Sequence, residues 1–395
     1  MAIKYIDELS IAEKRVFIRV DFNVAFDENG RISDDTRIRA ALPTIRYALG
    51  QNAKVILASH LGRPKGKPNP KYTMKPVGER LAELLEDVDV LCPEDCVGDA
   101  VKKLANDMLP GQVMMLENLR FHAEEEANDE AFSKQLASLA EVYVNDAFGT
   151  AHRAHASTAG MVSFVSVKGA GFLMRAEVEA LSRLLKNPER PFVAILGGAK
   201  VSDKLGVVEN LMNICDKLLI GGGMSYTFLK AKGFSIGKSL VEEEKLHAAR
   251  RVLERAETRG IQILLPVDHI IASACEASAT PQQTEGPNIP DGMMGLDIGP
   301  QTISKFAGLI AKAKTVFWNG PMGVFEMAPF ALGTNQVALA IAQSGAVSVV
   351  GGGDSVAAVK KAGLAERITH ISTGGGASLE FVEGKTLPGI AALEQ

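Results

Sequence analysis

The first half of the sequence places arginine and histidine residues at or near the ends of short apolar runs. These residues are Arg37, His60, Arg63, Arg120, His152, Arg153 and His155. Arginine can bind phosphate through two parallel hydrogen bonds and stays protonated, so several arginines at neighbouring strand ends would form a fixed phosphate site. The first half is therefore predicted to bind a small anion. For any single arginine, an ordinary surface position is the alternative.

Glycine-rich turns take the corresponding places in the second half. The turns are Gly197-Gly-Ala-Lys200, Gly221-Gly-Gly223, Asn319-Gly-Pro-Met-Gly323, Gly351-Gly-Gly-Asp354 and Gly374-Gly-Gly376. Glycines allow a ligand to approach the backbone, and the N–H groups of a helix N-terminus attract phosphate. We therefore predict a nucleotide site here. We expect Ser355 to cap the helix that follows the fourth turn, and Asp354 to offer a carboxylate to Mg²⁺.

Lys200 and Lys204 stand four positions apart after the first of these turns. This spacing predicts that both ammonium groups lie on one face of a helix, where they could neutralise the oxygens of a transferring phosphate. Solvated surface lysines are the alternative. The sequence contains neither the P-loop pattern nor the H-R-D pattern of protein kinases, so a phosphoryl transferase of this kind would belong to neither class.

Patterns for metal binding and disulfides are weak. The spacing Cys92-x3-Cys96 has no second pair, and His152-x-x-His155 has no third ligand marked by the sequence, which disfavours zinc at either place. Four cysteines are too few to staple a chain of this length and fit a reducing compartment. Because the N-terminus also lacks the pattern of a signal peptide, we expect cytoplasmic residence.

Length and charge limit the remaining classes. A chain of 395 residues exceeds the roughly 250 to 300 residues at which single cores stop growing, which predicts two domains. A net charge of −4 disfavours a nucleic-acid partner. The uncharged segment 327–353 is broken by proline, glycine and polar residues, so we predict a buried helix at 335–343 and a buried strand at 346–350, not a membrane span.

Continuous apolar runs followed by longer helical patterns indicate an α/β fold. Unbroken runs of this length predict strands that are buried on both faces, and therefore parallel sheets covered by helices. The predicted strands are 16–20, 55–58, 113–116 and 142–144 in the first half, and 192–196, 217–220, 261–265, 315–318, 347–350 and 368–372 in the second. Open parallel sheets bind ligands at the carboxyl ends of their strands, where the charged and glycine-rich turns fall.

Residues 172–186 carry apolar side chains at helical spacing and precede Asn187-Pro188, which ends a helix. We predict that this helix joins two Rossmann-like lobes, with an ordinary core helix of the first domain as the alternative. Gly169 and Gly171 are candidate hinge points. The predicted organisation is a first domain at 1–171, the interdomain helix at 172–188, a second domain at 189–376 and a C-terminal segment at 377–395.

Seven longer motifs follow one another along almost the whole chain. They are Arg19-Val-Asp-Phe-Asn-Val24, Ser59-His-Leu-Gly-Arg-Pro64, Leu116-Glu-Asn-Leu-Arg-Phe121, Asn145-Asp-Ala-Phe-Gly-Thr-Ala-His-Arg-Ala-His-Ala-Ser157, Gly197-Gly-Ala-Lys-Val-Ser-Asp-Lys204, Trp318-Asn-Gly-Pro-Met-Gly-Val-Phe-Glu326 and Gly352-Gly-Asp-Ser355. Together they resemble the bacterial type of the phosphoglycerate kinase family. The resemblance implies reversible phosphoryl transfer between ATP and the carboxylate of 3-phosphoglycerate, giving ADP and 1,3-bisphosphoglycerate, in glycolysis and gluconeogenesis. It also implies Mg²⁺ with the nucleotide, a monomer, and a C-terminal segment that packs on the first domain.

The resemblance further implies the roles of individual residues. Those expected to hold the acid are Asp21, Phe22, Asn23, Arg37, His60, Leu61, Gly62, Arg63, Arg120 and Arg153. Those expected to hold the nucleotide are Gly198, Lys200, Lys204, Gly221, Gly222, Gly295, Glu326, Gly352, Gly353, Asp354 and Ser355, with Asp354 as the Mg²⁺ ligand. Those expected to act on the transferring phosphate are Arg37, Lys200, Lys204, Gly352 and Gly375. Ala25 and Arg175 depart from residues common in the family, but neither coincides with an implied contact.

The chemistry of this reaction explains why the motifs contain no general base. The nucleophile is a carboxylate with a pKa of about 4, which is already ionised at neutral pH. Catalysis then reduces to alignment and charge neutralisation. Because water would hydrolyse the acyl phosphate product, we expect an arginine-lined and a glycine-lined pocket on separate lobes that face each other across a closing gap.

Two other functional classes stay open at this point. A dinucleotide-dependent oxidoreductase predicts G-x-G-x-x-G at the start of a helix and an acidic residue about 20 positions later, and that pattern is missing from the sequence. A two-lobed anion-binding protein without catalysis would have no use for paired lysines beside a phosphate turn that carries an aspartate. An assay with ATP and 3-phosphoglycerate separates the three classes.

Overall fold

The computed structural model describes residues 3–394, which divide into two units. The described chain up to Glu179, together with the residues from Thr386 onward, forms the first unit, and Ala180–Lys385 forms the second unit. This division follows the internal packing of the chain. The predicted boundaries at residues 171, 188 and 376 separate domains by what each one binds, so they stay a prediction.

The first unit contains a six-stranded parallel sheet and a short antiparallel pair. Its strands are β1 (Arg15–Arg19), β2 (Ala25–Phe26), β3 (Ile32–Asp34), β4 (Lys54–Ala58), β5 (Val90–Leu91), β6 (Val113–Met115), β7 (Val142–Asn145) and β8 (Val167–Ala170). Its helices are α1 (Thr36–Gly50), α2 (Lys75–Leu85), α3 (Asp99–Asp107), α4 (Ala123–Ala127) and α5 (Glu130–Ala137). β2 pairs with β3, and the other six strands form a sheet in the order β5-β6-β4-β1-β7-β8.

The four strands predicted in the first half are confirmed as β1, β4, β6 and β7. Val16, Phe17 and Ile18 in β1 are completely buried, which is the burial on both faces that the continuous apolar pattern predicts. The sequence pattern missed β5 because it has only two residues, and β8 because a glycine interrupts it.

The predicted helix at 172–186 is confirmed as α6 (Phe172–Lys186). The two glycines before it are closely packed. A Cβ atom on Gly169 would lie 2.6 Å from the carbonyl oxygen of Lys4, and one on Gly171 would lie 2.2 Å from Oδ1 of Asp146. This close packing is enough to explain why both residues are glycine, whether or not they form a hinge. The hinge role therefore stays a prediction.

The second unit contains the other six-stranded parallel sheet. Its strands are β9 (Phe192–Leu196), β10 (Lys217–Ile220), β11 (Gln262–Leu264), β12 (His269–Ala272), β13 (Gln282–Gln283), β14 (Met294–Ile298), β15 (Thr315–Asn319), β16 (Val347–Gly351) and β17 (His370–Ile371). Its helices are α7 (Leu205–Leu211), α8 (Met224–Ala231), α9 (Leu246–Thr258), α10 (Pro300–Ile310), α11 (Leu332–Gln343), α12 (Gly353–Lys361) and α13 (Gly375–Glu383). The sheet order is β11-β10-β9-β15-β16-β17.

All six strands predicted in the second half are confirmed as members of this sheet. The predicted α/β class, with two parallel sheets that are each covered by helices, is therefore confirmed. A three-stranded antiparallel sheet, β13-β12-β14, was not predicted. β13 consists of two exposed glutamines, so no apolar pattern marks it.

The uncharged segment forms α11 and β16, as predicted. α11 buries most of its apolar and small side chains, including Val337, Ala338 and Ile341. In the part of the chain that the structure describes, no helix combines the length and apolar character needed to cross a bilayer.

The final helix, α14 (Pro388–Ala391), belongs to the first unit. The Gly389 N–H donates to the carbonyl oxygen of Ala151 at 2.8 Å, and Nδ2 of Asn145 donates to the Gly389 carbonyl at 3.2 Å. These contacts fasten the chain end to the segment that follows β7.

We expect Gly171→Ala to lower the free energy of unfolding by about 1 to 3 kcal/mol, because the added methyl group overlaps Asp146. Gly50→Ala is the matched control, since nothing lies within 4 Å of its Cβ position. It should stabilise the protein by about 0.4 to 1 kcal/mol. Equal unfolding curves for Gly171→Ala and the parent protein in urea would contradict the close packing.

Candidate active site

Each six-stranded sheet has one place where two adjacent strands send their connections in opposite directions. In the first unit this place lies between β1 and β7, because the chain passes from β1 to β4 on one side and from β7 to β8 on the other. In the second unit it lies between β9 and β15. Ligands of open parallel sheets bind at such switch points, beyond the carboxyl ends of the strands. These two places are therefore the candidate sites.

Arg19, the last residue of β1, is completely buried at the first switch point. Its Nε donates to Oγ of Ser157 at 2.8 Å, and its Nη1 donates to the Val20 carbonyl. The N–H and the hydroxyl of Ser157 donate to the Glu125 carboxylate at 2.9 and 2.5 Å. Burial raises the pKa of Glu125, and the charge of Arg19 opposes that rise. Arg19, Ser157 and Glu125 thus form a buried charged network.

Arg120 adds a second guanidinium beside this network. Its Nη1 donates to the Gly62 carbonyl at 2.9 Å, and its Nε lies 3.2 Å from Oε1 of Glu126. Burial lowers the pKa of Arg120, and the like charges of Arg19 and Arg153 lower it further. Arg120 is therefore close enough to Arg19 and to Arg153 for their charges to repel its own, which favours a bound anion beside it.

Asp21 carries a carboxylate into the same region. It forms an ion pair with Nη1 of Arg37 and lies 3.8 Å from Nδ1 of His60. Burial acts to raise the pKa of Asp21, but the interactions with His60, Arg37 and Arg19 together outweigh burial and lower the pKa. Burial also lowers the pKa of His60 well below its usual value, so this imidazole is neutral at pH 7.

The turn after β4 is held by amide and arginine side chains. Oδ1 of Asn23 accepts from the Gly62 N–H at 2.8 Å, and Oδ1 of Asn118 accepts from the Leu61 N–H at 3.2 Å. The side chains of Phe22 and Leu61 are buried. Phe22 and Leu61 therefore position the backbone around the site and offer no polar side chain to a ligand.

Two of the predicted arginines are more exposed than the others. The side chains of Arg63 and Arg153 reach solvent, and Nε of Arg153 donates to Nε2 of His152 at 3.3 Å. The charge of Arg153 acts on both Arg120 and His155. The structure thus brings Arg120 and Arg153 together, and it leaves Arg63 on the surface at the end of the same turn as Gly62.

At the second switch point, the Lys204 ammonium is buried between the ends of β9 and β15. Its Nζ donates to the Gly197 carbonyl at 2.6 Å, to the Asn319 carbonyl at 3.0 Å and to Oδ1 of Asn319 at 2.8 Å. Burial lowers the pKa of Lys204 to about 8, partly offset by Asp354 and Asp203. A cation therefore occupies the second switch point, as one occupies the first.

The predicted placement of the two lysines on one helical face is wrong. α7 begins at Leu205, so Lys200 and Lys204 both precede it, and Lys204 is the residue that caps it. Lys200 is exposed. Instead of projecting from a helical face, the Lys204 side chain turns back towards the carbonyl groups at the strand ends.

The predicted capping role of Ser355 is also wrong. α12 begins at Gly353 with Gly352 as its N-cap, so Ser355 already lies in the first helical turn. Its buried Oγ accepts from the Gly320 N–H at 2.6 Å and holds the turn after β15. The sequence pattern predicts the helix start too late because Gly353 looks like part of the glycine turn, whereas it is the first helical residue.

Most glycine turns of the second unit pack against one another. The Gly198 N–H donates to the Pro321 carbonyl at 2.9 Å, and the Gly222 N–H donates to the Met322 carbonyl at 3.0 Å. A Cβ atom on Gly222 would lie 2.6 Å from the nitrogen of Gly198. Gly221 packs in the same way against Met322. The N–H groups of Gly198 and Gly222 are thus engaged within the protein.

The N-terminus of α12 offers the remaining backbone donors. The first N–H groups of a helix have no intrahelical acceptor, and they lie at the positive end of the helix dipole. Gly352 has a φ of +89°, a left-handed conformation that favours glycine. A Cβ atom on Gly375, the first residue of α13, would lie 3.2 Å from Cα of Gly352. These glycines therefore allow two helix starts to meet.

A cavity of about 460 Å³ opens beside these turns in the second unit. Predicted nucleotide residues in its lining are Gly198, Gly222, Gly295, Glu326 and Asp354. Sequence reasoning missed its apolar lining residues, which are Tyr226, Leu240, Met294, Leu296, Pro321 and Val324. The apolar wall suits a planar ring, and the glycine edge suits phosphates.

Asp354 fits a Mg²⁺ ion that is bound with phosphates. Its carboxylate is exposed in the first turn of α12, at the edge of the cavity. Mg²⁺ in nucleotide sites usually takes one or two carboxylates and fills its other positions with phosphate oxygens and water. One exposed carboxylate beside the start of a helix meets that requirement.

Sequence reasoning also missed Arg19, Asn118, Glu125 and Ser157 as members of the first site. Arg19 carried a signal, because it is the one charged residue within the apolar run 16–20. Glu125 lies in a run of three glutamates, and nothing in that run marks which of them is buried.

Comparison with known proteins gives consistent matches over the whole chain. The family model described as Phosphoglycerate kinase matches residues 6–385. A phosphoglycerate kinase of Anaeromyxobacter dehalogenans is 62% identical over 397 residues and is covered, like this chain, to 100%. That of Chloroflexus aggregans is 56% identical, with coverage of 99% of this chain and 98% of its own.

Solved structures agree with these matches. The phosphoglycerate kinase from Coxiella burnetii is similar with a TM-score of 0.90 and 43% identity, over 99% of both chains. The phosphoglycerate kinase from Pyrococcus horikoshii OT3 is similar with a TM-score of 0.84 and 36% identity, over 98% of both chains.

We expect Glu125→Ala to lower the free energy of unfolding by about 3 to 5 kcal/mol, because it removes the buried carboxylate that Ser157 links to the guanidinium of Arg19. Glu124→Ala is the matched control on the same helix, since Glu124 is exposed, and it should change stability by less than about 0.5 kcal/mol. Similar unfolding curves in urea for the two variants would exclude the network as a stabilising element.

Proposed function

The chain belongs to the phosphoglycerate kinase family, and from this premise we propose how its residues serve the reaction of that family. The reaction is the reversible transfer of phosphate between ATP and the carboxylate of 3-phosphoglycerate, which yields ADP and 1,3-bisphosphoglycerate in glycolysis and gluconeogenesis. The observation that carries the proposal is the buried cation at each switch point, Arg19 in one sheet and Lys204 in the other.

The first unit binds 3-phosphoglycerate. An acid with a phosphate group carries several negative charges, and the guanidinium groups of Arg19, Arg120 and Arg153 supply the opposite charge. Asn23 and neutral His60 offer hydrogen-bonding groups for the hydroxyl and the carboxylate. Arg63, at the exposed end of the turn, binds the substrate from the solvent side.

The second unit binds the nucleotide. The base lies against the apolar wall formed by Tyr226, Leu240 and Val324, and the phosphates lie at the start of α12. Asp354 would hold Mg²⁺, which would supply positive charge to the phosphates of the nucleotide. Glu326 lines the same cavity at a position that suits the ribose hydroxyls.

Catalysis rests on charge neutralisation around the transferring phosphate. The substrate carboxylate needs no base, so the protein must orient it and offset the charge on the phosphate oxygens. Arg37 acts from the side of the acid, and Lys200 and Lys204 act from the side of the nucleotide. The N-terminus of α12, which Gly352 caps, and that of α13, which begins at Gly375, add backbone N–H groups.

The protein works as a cytoplasmic monomer, with small molecules as its partners. The net charge of −4 disfavours binding to nucleic acid. Sedimentation at micromolar concentration tests the monomer, and a single species at 42.1 kDa is the expected result.

A coupled assay tests the proposed function. We expect ADP to form only when ATP, Mg²⁺ and 3-phosphoglycerate are all present, and ATP to form from ADP and 1,3-bisphosphoglycerate in the reverse direction. ATP hydrolysis that does not depend on 3-phosphoglycerate would contradict the proposal.

We expect Arg37→Ala to lower kcat by about 10²-fold or more while both substrates bind within a few-fold of the parent protein. The guanidinium acts mainly on charge that develops during transfer, so ground-state affinity should change little. Arg39→Ala is the matched control, because Arg39 lies on the same helix and pairs with Asp35 at 2.9 Å. Unchanged turnover in Arg37→Ala would remove Arg37 from the mechanism.

We expect kcat/KM for Mg-ATP to fall as the pH rises through about 8, where the free protein loses the Lys204 proton. Below this pKa the Lys204 side chain is a charged ammonium group that neutralises phosphate. Above this pKa it is a neutral amine that does not. In Lys204→Met, the low remaining affinity for ADP, measured by calorimetry, should be independent of pH between 7 and 9. The same alkaline loss in that variant would assign it to another group.

A further inference from the structure

Three potential metal ligands of different chemistry converge outside the proposed substrate sites. Among the described residues, Asp95, Cys96 and His122 each offer one ligand atom, and these atoms lie within 4.8 Å of one another. Nε2 of His122 is 2.7 Å from Oδ1 of Asp95. Asp95 and His122 are 27 positions apart in the sequence, so tertiary structure creates the cluster.

The local structure aims the three side chains at one point. Asp95 and Cys96 lie between β5 and α3, and the Cys96 N–H donates to Oδ1 of Asp95 at 2.6 Å. The thiol of Cys96 is buried, while Asp95 is exposed at the opening of the cluster. The His122 ring stacks on Phe132 with 5.1 Å between centroids, which fixes its orientation.

The spacing of the three atoms fits a small tetrahedral ion. Ligand atoms bound to zinc at about 2.0 to 2.3 Å lie roughly 3.3 to 3.8 Å from one another. The three atoms lie within 4.8 Å of one another, and Nε2 of His122 and Oδ1 of Asp95 are 2.7 Å apart, so shifts of about 1 Å, outward for that pair, reach this geometry. Asp95 is at the exposed side, so an ion can enter there and keep a water molecule as its fourth ligand.

The geometry points to a binding site for one thiophilic divalent ion of the zinc class at Asp95, Cys96 and His122. Thiolate and imidazole select zinc, cobalt and similar ions, whereas Mg²⁺ prefers an all-oxygen shell. An aspartate and a thiolate together neutralise the two charges of the ion. Binding converts the thiol of Cys96 into a thiolate and releases its proton to solvent.

This site differs from the cysteine pair that the sequence analysis considered. Cys92 is exposed and is not a member of the cluster, and His122 takes the place that a second cysteine would have had. His122 directly follows the short 3-10 helix Leu119–Phe121 that carries Arg120, and it precedes α4. A bound ion would therefore hold the segment that positions Arg120.

Cobalt provides a direct test on the full chain, because cobalt bound to a thiolate absorbs in the near ultraviolet through charge transfer. We expect one Co²⁺ per chain to produce this band in the presence of a large excess of Mg²⁺, and Zn²⁺ to abolish it. The band should disappear in Cys96→Ser. Co²⁺ affinity should fall at least about tenfold in His122→Gln and in Asp95→Asn.

Two control variants separate this site from other thiols and imidazoles. Cys92→Ser and His247→Gln, both at exposed positions, should give the band and the affinity of the parent protein. Absence of the band in the parent protein, its survival in Cys96→Ser, or its loss in Cys92→Ser would each overturn the site. Circular dichroism of each variant tests whether it is folded, and the Asp95 side chain changed in Asp95→Asn is exposed. Kinase activity plays no part in the readout, so a failure of this site leaves the proposed function standing.

Discussion

Both units depend on a buried cation at the carboxyl ends of two adjacent parallel strands whose connections run in opposite directions. A buried charge is costly unless hydrogen bonds or an opposite charge satisfy it. In the second unit, carbonyl groups from the ends of β9 and β15 satisfy the Lys204 ammonium. In the first unit, Ser157 and Glu125 satisfy Arg19. Each arrangement supplies positive charge to a place that helix starts and strand ends already make favourable for an anion.

Closely packed glycine turns surround the cation in the second unit, and further arginines surround the cation in the first. In the second unit, the Gly198 N–H donates to the Pro321 carbonyl at 2.9 Å, and a Cβ atom on Gly197 or Gly222 would overlap the same oxygen, so these glycine turns pack closely. Several of their N–H groups are used in that packing, which leaves the start of α12 as the main backbone donor for phosphate. In the first unit, the surplus of arginine over carboxylate leaves a positive region that an anionic ligand would neutralise.

The sequence predicted the two parallel sheets and α6 because continuous apolar runs and helical spacing report burial directly. It also predicted which strand ends carry charge and which carry glycine. It could not predict that Lys204 turns back onto Gly197 and Asn319, because four-residue spacing looks the same in a helix and in a turn. Burial of Glu125 but not Glu124, and the meeting of Cys96 with His122, depend on tertiary contacts that no local pattern contains.

A crystal structure with 3-phosphoglycerate and Mg-ADP tests the central claim most directly. The account predicts the acid in contact with the guanidinium groups of the first unit, and the nucleotide phosphates at the start of α12 near the Lys204 ammonium. Density for the acid away from Arg120 and Arg153, or phosphates that leave the start of α12 vacant, would contradict it.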